Sequence, residues 1–148
     1  MIHFSPQITG SISQTQNDTT LGGNTLHIDN TNNRVGIQSS SPQMALDVSG
    51  SIRASADVTA YSDERVKENI STVDNALNKT NQLRGVFYNR IGETERKIGV
   101  IAQEIEQILP EVVQTDSQGM KSVAYGNITG LLIEAIKELS AEIDQLKQ

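Results

Sequence analysis

The hydrophobic pattern changes part-way along the chain, and this change constrains the fold more than any other feature of the sequence. Within residues 26–28, 35–37 and 46–48, apolar side chains alternate with other residues, which is typical of β-strands. Farther along, apolar residues recur at three- and four-residue steps, which is typical of helices. The sequence therefore predicts a β-rich stalk segment over residues 1–61 and a second domain over residues 62–148.

The chain has few large apolar side chains for its length. Only 36% of its 148 residues are hydrophobic, and its aromatic residues are two Phe and three Tyr. Short strands with small side chains are marginal in water unless they pack against another element. We therefore predict an α+β protein: a short stalk of β-strands that intertwine between chains, followed by a small mixed α/β domain that ends in a long helix.

Composition argues against several functional classes. A net charge of −6 and a pI near 4.8 disfavour electrostatic binding to nucleic acid or to an anionic membrane. No apolar stretch approaches the ~20 residues of a membrane span. The chain has no cysteine, and its two histidines, His3 and His27, lie far apart in the sequence. We therefore expect no nucleic-acid partner, no membrane partner and no metal site.

The last segment, from about residue 127 to residue 148, has the most regular pattern. Its apolar residues recur at alternating four- and three-residue steps and form a heptad seam: Leu132, Ile136, Leu139, Ile143 and Leu146. Ile at position a with Leu at position d favours a dimer in a simple parallel coiled coil. The seam covers only about two heptads, so a helix that packs on its own domain is the alternative.

Local patterns predict the other elements of the second domain. Residues 62–64 predict a helix start, because an oxygen-bearing cap precedes acidic residues, and Val66, Ile70 and Val73 follow at helical spacing. The remaining predictions are strands over 86–88, 97–100 and 120–125, and a helix with the stripe Ile101, Ile105, Ile108 and Leu109 that Pro110 ends.

Several motifs in this domain occur in a recognisable order. The first is Ser62-Asp63-x-Arg65-x-Lys67 with Ile70 three residues later, and the others are FY at 87–88, GVIAQE at 99–104 and LPEVV at 109–113. Together they resemble the C-terminal intramolecular chaperone domains (peptidase S74 type) that process themselves at the ends of phage tailspikes, tail fibres and neck appendages. Residues 35–53 resemble the stalk repeat that often precedes this domain in fibres.

The resemblance implies a homotrimer with a triple β-helical stalk, which overrides the dimer rule for isolated coiled coils. The domain would trimerise first, set the register of the upstream stalk of the same chain, and then release itself. The partners are then other copies of the chain. The protein would be a virion component, assembled in the host cytoplasm, and we expect the natural protein to be longer than this sequence.

The resemblance also implies a catalytic dyad of Ser62 and Lys67, with Asp63, Arg65 and Asn69 in support. The cut would fall at Ser62–Asp63 or Tyr61–Ser62, once per chain. A lysine serves as a general base only when burial favours its neutral form. Five residues separate Ser62 from Lys67, so the two do not share a helix face. Free N–H groups at the predicted helix start could hold the oxyanion.

Three alternatives stay open at this point. The domain could be a trimerisation module that does not cleave, or a receptor-binding fibre tip, although the acidic, aromatic-poor sequence offers no evident sugar platform. Nucleotide control of cleavage, with ATP as a regulator, is suggested by the neck-appendage relatives, but the chain has no Walker pattern. A membrane-anchored relative of this domain also occurs among animal transcription factors; the stalk-like repeats favour the phage context.

Overall fold

The computed structural model describes residues 19–21 and 25–147. These residues belong to two units, which divide between Ala60 and Tyr61. The predicted boundary, between residues 61 and 62, lies one residue farther along. His3 and the first part of the predicted stalk lie outside the described residues.

Four short strands form a single sheet in the first unit, in the order β1-β2-β3-β4. They span Thr19–Leu21 (β1), Leu26–Asp29 (β2), Arg34–Ile37 (β3) and Leu46–Val48 (β4). β2 is antiparallel to both β1 and β3, whereas β4 runs parallel to β3. The strands predicted near residues 26, 35 and 46 are therefore confirmed. These pairs lie within one chain, and intertwining between chains stays a prediction.

Polar residues shape the turn between β2 and β3. The Asp29 carboxylate accepts hydrogen bonds from the Asn32 side-chain amide at 2.8 Å and from its backbone N–H at 2.9 Å. These bonds hold the pKa of Asp29 below its usual value. Asn33 takes a left-handed conformation with φ of 55°, which Asn tolerates better than most residues. The turn therefore follows from the polar run that the sequence places between two strands.

The second unit contains two hairpins and three helices. β5 (Val86–Asn89) pairs with β6 (Arg96–Gly99), and β7 (Val113–Thr115) pairs with β8 (Lys121–Val123), both antiparallel. The α-helices are α1 (Ala76–Gln82), α2 (Ala102–Glu106) and α3 (Ile128–Leu146). Single 3₁₀ turns occupy Glu64–Val66, Pro110–Val112 and Tyr125–Asn127. The two strands predicted over 86–88 and 97–100 and the long C-terminal helix are confirmed.

The core of the second unit lies where α1 packs on α3. Ala76 from α1 and Leu131 and Ala135 from α3 are buried together, and partly buried apolar residues surround them: Val73, Leu77, Leu83 and Leu109. Two of the three central residues are alanines, so the helices approach closely but bury little area. The core is small, as the low apolar content predicts.

A carboxylate on α3 caps the N-terminus of α1. Glu138 accepts hydrogen bonds from the backbone N–H of Ala76 at 2.9 Å and of Leu77 at 2.8 Å. The residue before the helix, Asn75, makes no side-chain capping bond. Because the first N–H groups of a helix have no partner within it, Glu138 supplies what the local sequence lacks. The same hydrogen bonds lower the pKa of Glu138.

Gly99, at the end of β6, lies under two tyrosine rings. A Cβ at this position would lie 2.7 Å from the Tyr125 hydroxyl oxygen and 3.2 Å from a ring carbon of Tyr88. The neighbouring Val100 N–H donates to the same hydroxyl at 3.3 Å. Gly99 therefore lets Tyr125, just before α3, reach the backbone of the first hairpin.

The helix predicted to start at residues 62–64 is wrong. Only Glu64–Val66 forms a 3₁₀ turn, Lys67 is extended, and Asn69 is left-handed with φ of 54°. Val66 and Ile70, the expected apolar face, stay exposed. Because most helical stability in proteins comes from burial of an apolar face, the pattern could not hold a helix here. The helix lies instead at α1, which the sequence did not predict.

The helix over 101–109 is shorter than predicted. α2 ends at Glu106, so the helical turn is already complete before Pro110, and Pro110 begins a 3₁₀ turn instead of ending a helix. Pro is well tolerated at such a start because its missing N–H is one of those without a helical partner. Ile105 is the member of the predicted stripe that is fully buried. The strand predicted over 120–125 is confirmed in its central part, as β8.

Replacement of Glu138 by Gln should destabilise the second unit. The amide keeps the shape but loses the negative charge at the N-terminus of α1, and we expect the midpoint of thermal unfolding to fall by roughly 5 °C. Glu138 has a lowered pKa in the folded protein, so its contribution is present above the unfolded pKa and is lost as pH falls through the folded value. The difference between wild type and variant should therefore shrink on acidification, measured by circular dichroism.

The matched control is Glu134→Gln on the same helix, because the Glu134 carboxylate contacts the exposed Lys137 ammonium instead of a helix end. This variant should unfold close to the wild-type midpoint. Equal effects of the two substitutions would argue against a capping role for Glu138.

Replacement of Gly99 by Ala should cost about 1–3 kcal/mol of unfolding free energy, because the new methyl group meets the Tyr125 hydroxyl. Removal of that hydroxyl in Tyr125→Phe relieves the closest contact, so the double variant should be less destabilised than the sum of the single ones. Gly130→Ala, where a Cβ meets nothing within 4 Å in a helix, should stabilise by about 0.5–1 kcal/mol. Urea denaturation of wild type and the four variants measures these differences, and strict additivity would exclude the Tyr125 contact as the cause.

Candidate functional site

Residues 61–67 form an exposed turn that starts the second unit. The backbone N–H of Arg65 donates to the Asp63 carboxylate at 2.9 Å, so Asp63, and not Ser62, caps the 3₁₀ turn. The Arg65 guanidinium also binds both carboxylate oxygens of Asp63, at 2.9 and 2.8 Å. This guanidinium holds the pKa of Asp63 below its usual value. The pair therefore fixes the local conformation of the motif.

The turn brings Ser62 and Lys67 together. The Lys67 ammonium nitrogen donates to the Ser62 hydroxyl oxygen at 2.7 Å, a direct hydrogen bond across five residues. A regular helix would direct these two side chains to different faces. The 3₁₀ turn followed by an extended Lys67 instead folds the long side chain back toward the serine.

The hydrogen bond brings a hydroxyl and an ammonium group together, with the ammonium as the donor. For Lys67 to act as a base, its amine must be neutral and must accept the proton of the serine hydroxyl. Ser62 and Lys67 are both exposed in the single chain, and an exposed lysine lacks the low-dielectric surroundings that favour the neutral form. The close approach of Ser62 and Lys67 is therefore present in one chain, whereas their burial is not.

The predicted oxyanion donors at the helix start are used elsewhere. The Arg65 N–H bonds the Asp63 side chain, and the Val66 N–H donates to the Asp63 carbonyl at 3.2 Å. A stabilised oxyanion needs N–H groups that are free at the moment of reaction. The prediction that N–H groups at the helix start hold the oxyanion is therefore wrong for Arg65 and Val66. Both N–H groups already donate hydrogen bonds within the 3₁₀ turn.

The other residues of the motif occupy defined positions. Tyr61 is 99% exposed, and Ser62 and Asp63 are exposed as well, so both candidate scissile bonds lie on accessible backbone. Asn69 provides the left-handed residue at which the chain turns after Lys67. Its direct part in chemistry stays a prediction, as do those of Asp63 and Arg65.

The heptad seam lies on a different face of α3 from the one that packs on α1. Leu131, Ala135 and Glu138 face α1, whereas the seam residues are exposed in the single chain, from 42% for Leu132 and Ile143 to 88% for Leu146. Three of them, Leu132, Ile136 and Leu139, also line a groove of about 240 Å³ beside α1. The sequence left open whether the apolar stripe packs within the domain or between copies. In the structure, one face of α3 packs on α1, and the seam face stays exposed.

Two residues that hold the second unit together were not predicted from the sequence. Glu138 lies three residues after Ala135 and seven after Leu131, so an acidic residue on the buried stripe was the available signal. Tyr125 ends the segment predicted as a strand, and nothing local indicated its contact with Gly99. Both contacts join residues far apart in the chain; Glu138 and Ala76 are 62 positions apart. A periodic pattern in the sequence cannot indicate a contact between residues so distant.

Neither a metal site nor a membrane-spanning helix is found within the described ranges. Residues 19–21 and 25–147 contain no group of three or more His, Cys, Asp or Glu side chains arranged to hold a metal ion. Over the same part of the chain, none of the helices combines the length and the apolar character needed to span a bilayer. Regulation by ATP stays a prediction.

Comparison with known proteins relates the motif to a family. The model of the family described as chaperone of endosialidase (peptidase S74) matches residues 62–114, a match that begins at Ser62. It covers the 3₁₀ turn, α1, the first hairpin, α2 and the start of β7.

Curated relatives include phage fibre proteins. The chain is 38% identical over 95 residues to a long tail fibre protein Gp37 of Enterobacteria phage K3, a match that covers 58% of this chain and 8% of that protein. It is 34% identical over 102 residues to a long tail fibre protein Gp37 of Enterobacteria phage Ox2, with 62% of this chain and 41% of that protein covered. A myelin gene regulatory factor-like protein A of Dictyostelium discoideum is 32% identical over 142 residues, with 78% and 15% covered.

The chain spans less than half the length of each of these relatives. Its resemblance to the phage proteins extends over more than half of its own length. Residues 62–114 of this chain are thus similar to the chaperone of endosialidase family.

Proposed function

We propose that this chain is the end of a phage fibre in which the second unit acts as an intramolecular chaperone. It gathers three chains, sets the register of the stalk, and then releases itself by a cut beside Ser62. The observation that carries the proposal is the 2.7 Å hydrogen bond between Lys67 and Ser62 at the first residue of the family match. The fibre context is supported by the tail fibre relatives.

The proposed reaction is an acyl transfer. Neutral Lys67 takes the proton of the Ser62 hydroxyl, the oxygen attacks a backbone carbonyl carbon, and an ester replaces the amide. The lysine ammonium then returns the proton to the leaving nitrogen. Water hydrolyses the ester and regenerates the hydroxyl, so the only net change is one hydrolysed peptide bond.

The two candidate bonds differ in whether one chain can cut itself alone. Attack of the Ser62 oxygen on the carbonyl of Tyr61 closes a five-membered ring, which is accessible within a chain. Attack on its own carbonyl closes a four-membered ring with large bond-angle strain. A cut at Tyr61–Ser62 can therefore occur in cis, whereas a cut at Ser62–Asp63 requires the hydroxyl of a neighbouring copy.

Assembly supplies what the single chain lacks. Residues 49–60 end the first unit, residues 61–72 begin the second, and all of them are exposed. These stretches carry large apolar side chains that neighbouring chains would cover: Ile52, Val58, Tyr61, Val66 and Ile70. Burial of this stretch between copies would also desolvate Lys67 and favour its neutral form. Cleavage would then follow assembly and not precede it.

The chaperone role follows from the kinetics of strand pairing between chains. Such pairing is slow, because stabilising contacts form only after the strands have found the correct register. A domain that trimerises first holds three chain ends together and raises their effective concentration. Its release then removes the contacts that would assist the reverse process, so the assembled stalk is kinetically stable.

Ser62→Ala and Lys67→Ala should abolish processing. Wild type should give fragments of about 61 and 87 residues on a denaturing gel, while both variants stay whole. Ser71→Ala, an exposed serine nine residues away, should cleave like wild type. A wild-type chain that assembles and never cuts itself would instead favour a trimerisation module without cleavage.

The bond and the direction of attack can be measured together. In mixed assemblies of wild type and a tagged Ser62→Ala chain, a neighbour's hydroxyl would cut the tagged chain after residue 62, whereas attack in cis would leave it whole. Mass spectrometry of the fragments identifies the cut bond. A cut at Tyr61–Ser62 of the wild-type chain with an intact tagged chain is the expected result for attack in cis.

Ile136→Glu should prevent trimerisation and, with it, processing. The side chain is 66% exposed in the single chain, so a charge there is tolerated by the monomer but not by a seam between copies. Analytical ultracentrifugation should report a folded monomer that remains uncut. Ala141→Glu, on the same helix but off the seam, should assemble and cleave as wild type does. Assembly of the Ile136→Glu variant would remove the seam from the proposal.

A further inference from the structure

The distal part of α3 extends beyond the packing with α1. From Leu139 onward every described residue of the helix is exposed, through Lys147. The seam continues along this part with Leu139, Ile143 and Leu146. Two charged side chains, Glu142 and Lys147, flank it. These two charges would lie at the edges of the contact if other copies covered the seam.

The heptad positions assign a place to each charge. With Ile136 and Ile143 at position a, Glu142 falls at position g and Lys147 falls at position e of the next heptad. In parallel helices that are in register, a g residue of one helix faces the e residue five positions later on its neighbour. Glu142 and Lys147 are five positions apart and opposite in charge. Parallel, in-register packing therefore pairs them.

Other arrangements do not pair these charges. In antiparallel helices g faces g and e faces e, so Glu142 would face Glu142 and Lys147 would face Lys147. The preceding heptad cannot compensate, because its g position is Ala135 and its e position is Ser140. The orientation of the seam thus depends on a single charged pair at each contact between helices.

The contact that Lys147 makes within its own chain is weak. Its ammonium lies 3.5 Å from the Asp144 carboxylate, and both side chains are about 70% exposed. Exposed pairs of this kind contribute little to stability. Lys147 can therefore turn toward a neighbouring helix at small cost.

We propose that Glu142 of each copy pairs with Lys147 of the next and thereby selects a parallel, in-register assembly of α3 around the seam. This rests on the self-association under the proposed function and adds its orientation. A parallel, in-register arrangement brings the three second units to the same end of the assembly. Their upstream stalks then leave from equivalent positions, which is the condition for pairing equivalent strands.

Charge reversal tests the pair. Glu142→Lys and Lys147→Glu should each raise the concentration for half-assembly at least about tenfold, because attraction becomes repulsion at every contact. The double reversal restores opposite charges and should assemble nearly as wild type does. The differences should shrink at about 1 M salt, where the Debye length is near 3 Å. All chains carry Ser62→Ala, so that they stay whole, and ultracentrifugation gives the association constants.

Glu134→Lys is the matched control, since it makes the same kind of charge change on the same helix at the outward position f, and its ion-pair partner is Lys137. It should assemble as wild type does. A similar loss in this control, or no loss in either single reversal, would overturn the role of Glu142 and Lys147.

Cysteine cross-linking tests the orientation independently, because the chain contains no cysteine. Leu146→Cys at position d should form interchain disulfides readily, since equivalent d positions approach within disulfide range only in parallel, in-register helices. Ala141→Cys, at the outward position f, should not cross-link under the same oxidation. Absence of the Leu146→Cys cross-link in an assembled protein would contradict the parallel arrangement while leaving self-association in place. A wild-type chain that stays monomeric would remove both the arrangement and the trimer under it.

Discussion

The contact between α3 and α1 is the interaction on which the second unit depends. Leu131 and Ala135 pack on Ala76, and beside them the Glu138 carboxylate binds the first N–H groups of α1. Helices of seven residues are marginal in water, and the side chain of Asn75 before α1 makes no capping hydrogen bond. One helix thus exists because another helix supplies both its apolar surface and its cap. The apolar contact and the cap come from one face of α3.

The other apolar face of α3, the seam, differs from the face that packs on α1. The inner face has small residues and a single acid, which permit close approach within the domain. The seam has branched apolar residues that stay 42–88% exposed in the single chain. A helix with two apolar faces cannot satisfy both inside one small domain. Under the proposed function, other copies of the chain would cover this second face, as a folding chaperone for a multichain fibre requires.

The motif at the start of the second unit is held in its conformation by its own residues. Asp63 and Arg65 hold the turn through their own ion pair, so the conformation of Ser62 and Lys67 is set locally. Their electrostatic environment is not set locally, because both side chains are exposed. Under the proposed function, other copies that cover this exposed surface would desolvate the pair, so cleavage would wait for assembly without any moving part in the monomer.

The sequence by itself determined the division into a strand-like and a helix-like half, the short strands, the first hairpin, the long final helix and the family motif. Each of these depends on residues that are close together in the chain. It failed at residues 62–73, where helical spacing was present but no apolar surface lay within reach, and it gave no sign of α1. Only the tertiary structure decided which stripe of α3 faces inward, why Gly99 lies beneath Tyr125, and why Glu138 is fixed at a helix end. These outcomes depend on packing between distant residues, and burial, not periodicity, selects among the helices that a sequence permits.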